Sequence, residues 1–160
     1  MGVLAIALVG VVYGTLEPAV VNAGDTAPGF TIMTDRGHKL TPADFGGKLL
    51  VLNFWATWCA PCVDEVPSLN AFQKAFAKQG VVVLGVSIDT NEQQYKRFLE
   101  NYHITFDTWR YPDADIATRY GTFEFPETYI IDSSGKVVEK IISNQNWVDP
   151  EFVAHIQKML

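Results

Sequence analysis

The chain has 160 residues, 48 % of them apolar, and a formal charge of −6. A chain of that length buries a core without a covalent staple, so its two cysteines are not needed to hold a small fold together. Its twelve Lys and Arg are scattered without a basic run, which excludes a nucleic-acid partner, because such affinity comes from clustered cations.

The first stretch, GVLAIALVGVVYGTL from Gly2 to Leu16, carries no charge and is broken at Glu17-Pro18. Residues 1–23 read as an export segment, either a signal-peptide core or the outer part of a membrane anchor. No Lys or Arg precedes the apolar run, which keeps a buried N-terminal strand or helix as the other reading. Export would put the domain, residues 24–160, in the periplasm or on the extracytoplasmic face of the membrane, where disulfides persist.

Within the domain, GFTIMTDRGHKLTPADF gives two short β runs about a turn at Asp35-Arg36-Gly37, with Thr41 suited to cap a helical turn. KLLVLNFWA is a continuous apolar run of the kind found in a strand buried on both faces. From Ala60 to about Lys78, Val63, Val66, Leu69, Phe72 and Phe76 recur at helical spacing, and Gly80 ends the run. VVVLGVSID is a second buried strand, NEQQYKRFLENYH a helix capped by Asn91, ITFDTW a third strand, and DADIATRYG a short helix closed by Gly121. ETYIID and KVVEKII form a hairpin around Ser133-Ser134-Gly135, and DPEFVAHIQKML is a helix with Asp149 as cap and Pro150 at its first position. Strands alternating with helices and then a hairpin give an α/β fold, a mixed central sheet with helices on both faces, led by an N-terminal β-hairpin.

Both cysteines lie in FWATWCAPCVDEVP, where the central strand ends and the first long helix begins. A CxxC pair serves metal clips, structural disulfides and redox enzymes alike. A structural zinc wants four ligands, and His38, His103 and His155 stand at no ligand spacing from each other or from the pair, so no metal is expected. At a helix start, unpaired N–H groups and the dipole stabilise a thiolate, which makes Cys59 the candidate nucleophile. Cys62, one turn later, is the resolving thiol that attacks a mixed disulfide formed on Cys59. Pro61 stiffens the loop where it forfeits no hydrogen bond. Trp55 reads as a core aromatic, Trp58 as part of an apolar docking surface, and Pro67 as a kink inside the helix. Pro126, after Phe125 and before a β run, either starts a strand in trans or is cis, in which case it offers unpaired backbone groups to an extended partner.

WCAPC after VLNFWAT, the spacing CxPCxxExP through Glu65 and Pro67, and FPETYIIDSSGKVV downstream resemble the thioredoxin superfamily. Within it the chain is similar to the exported, often membrane-anchored thiol:disulfide oxidoreductases of the TlpA, ResA and CcmG type, with an AhpC/TSA-Redoxin-like domain over essentially residues 24–160. The resemblance implies a cis Pro126 beside Cys59, with Phe125, Glu127 and Thr128 shaping the site, and a helix-strand insertion around Asn91 to Trp109. It also implies reduction of disulfides in exported proteins such as apocytochromes c, re-reduction by a membrane thiol donor, a monomer, and no cofactor beyond the redox pair. Cytosolic thioredoxins carry a buried Asp where this chain has Asn53, which cannot accept a proton from Cys62. Glu65, three residues after Cys62 on one helix side, is expected partly buried and able to exchange that proton. Glu124 and Glu127 flank the proline and are further candidates for tuning the pair. The rival readings are an oxidase or isomerase of the same superfamily and a peptide- or haem-binding module with a static disulfide. A thiol peroxidase is a further rival, but one that uses a lone cysteine in a different motif.

Overall fold

The computed structural model describes residues 20–160, so the apolar segment Gly2–Leu16 lies outside the described residues. Val21 is already buried, and its N–H donates to the Tyr120 carbonyl. A short hairpin follows, β1 (Ile32–Met33) against β2 (Lys39–Leu40). The central strand β3 (Leu49–Trp55) is buried at all seven positions, because its apolar run meets a protein layer on each face and a strand on each edge. β4 (Val81–Ser87) and β5 (Asp107–Arg110) extend the sheet in parallel on one side. β6 (Glu127–Asp132) and β7 (Val137–Ile142) extend it antiparallel on the other, in the order β5-β4-β3-β6-β7.

Among the described residues four helices cover this sheet: α1 (Ala60–Phe76), α2 (Glu92–Asn101), α3 (Asp115–Tyr120) and α4 (Pro150–Met159). Alternation along β3 sorts the core in two. Leu49, Val51 and Trp55 meet Val66, Leu69 and Phe72 of α1, Tyr95 and Phe98 of α2, and Ile156 of α4. Leu50, Leu52 and Phe54 meet α3 and the N-terminal segment through Ile116, Tyr120, Phe30 and Phe45. Asn53 therefore shares the α1 face. Gly85 on β4 is required by close approach, since a Cβ there would lie 2.9 Å from both Trp55 Nε1 and Phe106 Cε2.

Two local expectations change. Thr41 caps a lone turn rather than a helix: its Oγ1 and its carbonyl both accept the Asp44 N–H, and Gly46, at φ 73°, turns the chain away at once. The third strand begins at Asp107 and not at Ile104, because the Ile104 N–H is taken by the Leu99 carbonyl and the Thr105 N–H by Asn70 Oδ1. α1 continues through Pro67 to Phe76 and ends in a 3-10 turn, Ala77–Gln79, closed by Gly80 at φ 94°.

Candidate active site

Cys59 is the N-cap of α1, and its Sγ accepts the Cys62 backbone N–H at 3.3 Å. The two cysteines form a disulfide, both almost fully buried, with exposed Ala60 and Pro61 filling the first turn between them. The Phe125–Pro126 bond is cis, and the Phe125 carbonyl oxygen lies 3.4 Å from Cys59 Sγ. Trp58 and Phe123 are 63 % and 62 % exposed, and the Trp58 ring meets that of Phe125 edge-on at 6.4 Å. The Trp58 and Phe125 rings form an apolar rim beside the outer sulfur. Trp55 is core, packed on Tyr95 and Phe98.

Beneath the pair lies a buried polar network. Glu65 is 3 % exposed, more deeply enclosed than its helix position suggests. Its Oε1 accepts Asn53 Nδ2–H at 2.8 Å; its Oε2 accepts the Gln145 N–H at 3.1 Å and the Trp147 indole N–H at 3.2 Å. Asn53 also donates to Thr128 Oγ1 at 2.9 Å, which ties α1 to the strand that follows Pro126. Burial raises the Glu65 carboxyl above its ordinary value and outweighs the three hydrogen bonds that pull it down. The carboxyl is thus held nearer the range in which a thiol exchanges protons.

Glu127 does not join this site. It follows Pro126 directly, but strand alternation sends it to the opposite face from Thr128, where it pairs with Phe54 of β3 in register. There it is buried, accepts Tyr129 O–H at 2.9 Å, and forms an ion pair with Lys140. Its place is a structural ion pair behind the proline strand and not the thiol face. Glu124 is exposed.

Two anchors escape a reading of the sequence alone. Asp89, buried past the end of β4, accepts the Thr57 N–H at 3.0 Å and the Thr57 hydroxyl at 2.6 Å, fixing the loop that delivers Cys59. Ser87 Oγ–H donates to the same carboxylate at 2.6 Å. The signal available was position, since acids beyond the carboxyl ends of parallel strands face the site in open α/β sheets. Gln145 and Trp147 are the other pair, in a loop with no motif of its own. Among the described residues no cluster of three or more His, Cys, Asp or Glu is placed to hold a metal.

A helix-capping cysteine, its partner one turn on and a carbonyl from a cis-proline loop against the outer sulfur suit thiol–disulfide exchange. The class they define is the thioredoxin-like oxidoreductases. The AhpC/TSA family model matches residues 23–140, and the chain belongs to that family. It is 37 % identical over 129 residues to the thiol-disulfide oxidoreductase ResA of Geobacillus thermodenitrificans, covering 79 % of this chain and 72 % of that one. It is 36 % identical over 144 residues to the thioredoxin-like protein YneN of Bacillus subtilis, covering 85 % and 84 %. A thiol:disulfide interchange protein from Bacteroides sp. superposes with a TM-score of 0.73 at 26 % identity, covering 86 % of this chain and 90 % of that one. The chain is a thiol-disulfide oxidoreductase working through Cys59 and Cys62.

Proposed function

We propose that this oxidoreductase is a reductant of disulfides in exported proteins, apocytochromes c awaiting haem among them. It works on the extracytoplasmic face of the membrane and is itself re-reduced by a membrane thiol donor. The observation that carries the direction is the charge around the pair. Among the described residues no Lys, Arg or His hydrogen-bonds to either cysteine or to Glu65, while Glu65 sets a buried acid one turn beyond Cys62. A strong oxidant is one whose reduced form is stabilised. Here an acid without a matching cation works against a thiolate, so the reduced pair gives up its electrons readily. The apolar Gly2–Leu16 segment and the use of only two cysteines support an exported setting; among the described residues no helix is long and apolar enough to cross a membrane.

In the reaction, the Cys59 thiolate attacks one sulfur of the partner disulfide, and the other partner sulfur leaves as thiolate. The rim of Trp58 and Phe125 and the backbone beside Pro126 hold the partner as an extended segment. Glu65 takes the Cys62 proton; the Cys62 thiolate attacks Cys59 Sγ, expels the second partner sulfur, and closes the Cys59–Cys62 disulfide. Two electrons have passed to the partner.

Equilibration with glutathione tests the direction. A potential near about −270 mV, as in thioredoxin, is expected; one near about −120 mV would overturn the reductant in favour of an oxidase. Cys59→Ser is expected to abolish turnover and Cys62→Ser to trap exported proteins as mixed disulfides. Retained function in Cys59→Ser would instead make the chain a binding module.

A further inference from the structure

Trp147 stands in the polar tract NQNWVDP between β7 and α4, with its side chain fully buried. Its ring packs on Phe72 and Phe152 at 5.5 and 5.3 Å between centroids, a task any aromatic ring performs. What the indole adds is one donor, and that donor is spent on Glu65 Oε2. The loop is fastened to the same helix turn a second time, since the Trp147 N–H donates to Ser68 Oγ, whose hydroxyl donates to the Glu65 carbonyl.

We propose that Trp147 is a positioning residue of the thiol exchange: its indole N–H fixes the Glu65 carboxylate and so sets how readily that group takes the proton of Cys62. This rests on the role given to Glu65 above. The lone-pair count adds a direction. Oε2 already accepts two donors, Gln145 N–H and Trp147 Nε1–H, whereas Oε1 accepts only Asn53, so the proton enters at Oε1 and leaves the Trp147 contact intact. Cys62 S–H becomes thiolate as Glu65 becomes the neutral acid, and the charge moves from carboxylate to sulfur with no net change. The groups that meet the Glu65 carboxylate from β3 and from the 143–149 loop are Asn53, Gln145 and Trp147, none of which titrates. Thr128 of β6, behind Asn53, does not titrate either. On its own helix Glu65 follows Cys62 by three residues, and the charged pair Glu127–Lys140 lies on the other face of the sheet.

The test is the pH dependence of the four tryptophan indole N–H signals in 15N-labelled protein, oxidised and reduced, combined with the pH profile of disulfide-peptide reduction. The Trp147 signal, identified by its loss in Trp147→Phe or by elimination with the other three Trp→Phe variants, is expected to titrate. That titration is expected to vanish in Glu65→Gln and to change midpoint between redox states. Trp147→Phe keeps the ring and removes the donor, so the acidic limb of its rate profile is expected to move to higher pH. The rate on that limb should fall roughly tenfold, the worth of one hydrogen bond to a charge. A Trp147 signal flat with pH in both redox states overturns the proposal. A profile altered in Glu65→Gln and unchanged in Trp147→Phe overturns Trp147 alone; a profile unchanged in Glu65→Gln removes the role of Glu65 and this proposal with it.

Discussion

Two buried glutamates lie on opposite faces of the sheet and are stabilised by different means. Glu127, behind the proline strand, meets the ammonium of Lys140 and the hydroxyl of Tyr129. Glu65, under the cysteines, meets three donors, all neutral. A carboxylate matched by a cation has little cause to accept a proton, whereas one held only by dipoles in a buried place keeps that option open. The same residue type thus meets a cation on one face and only neutral donors on the other, and the difference between the two acids is the charge of their partners.

The largest expected effect comes from unbalancing the strut. Lys140→Met leaves the Glu127 charge buried and unpaired, with an expected loss of about 3–5 kcal/mol in urea unfolding, most of it recovered by adding Glu127→Gln. The pH profile of disulfide reduction should keep its shape in both variants; a shifted profile would mean that the two faces are not independent. Next comes the pH dependence of stability in the oxidised protein, in which the thiols do not titrate. Glu65 has a raised carboxyl value, so the folded state holds a proton at pH values where the unfolded chain, near the ordinary 4.5, has lost it. Stability should therefore fall as pH rises from 4.5 through the folded value, with a slope of at most about 1.4 kcal/mol per pH unit. Glu65→Gln should flatten that slope, and an unchanged slope would remove the distinction between the two acids.

The strands and helices were legible because their apolar spacing is strong, and CxxC at a strand-to-helix junction was legible because few other uses fit a chain of this size. Asn53 and Glu65 entered the site through the resemblance, and the hydrogen bond that joins them came only with the structure. Glu127 was misplaced by reading nearness to Pro126 along the chain as nearness to the thiols, when one step along a strand reverses the face. Lys140 reaches it only through the β6–β7 register, Tyr129 opposite Lys140. Trp147 meets Glu65 across 82 residues of chain, from a loop whose path no periodicity describes.

Asn53→Leu should cost about 1–3 kcal/mol, because Glu65 Oε1 and Thr128 Oγ1 each lose a buried partner. Its cost should vary with pH above 4.5, since one of the orphaned acceptors, Glu65, has its carboxyl raised above that value by burial.

Tyr129→Phe supplies the smallest effect and the closest control. The Tyr129 hydroxyl meets Glu127 Oε1, the Tyr120 carbonyl and Thr122 Oγ1, so its removal leaves several acceptors short of one donor. Lys140 still neutralises Glu127, and the expected loss is that of an ordinary hydrogen bond, about 1 kcal/mol. Burial raises the Tyr129 hydroxyl above its usual value of 10.0. The folded and unfolded states are then both protonated below that value, and the loss should be the same at pH 5 and pH 8. Urea unfolding at the two pH values checks this. Equal losses in Tyr129→Phe beside unequal losses in Asn53→Leu would locate the pH dependence on the cysteine face; a pH-dependent loss in Tyr129→Phe would remove that distinction between the two faces.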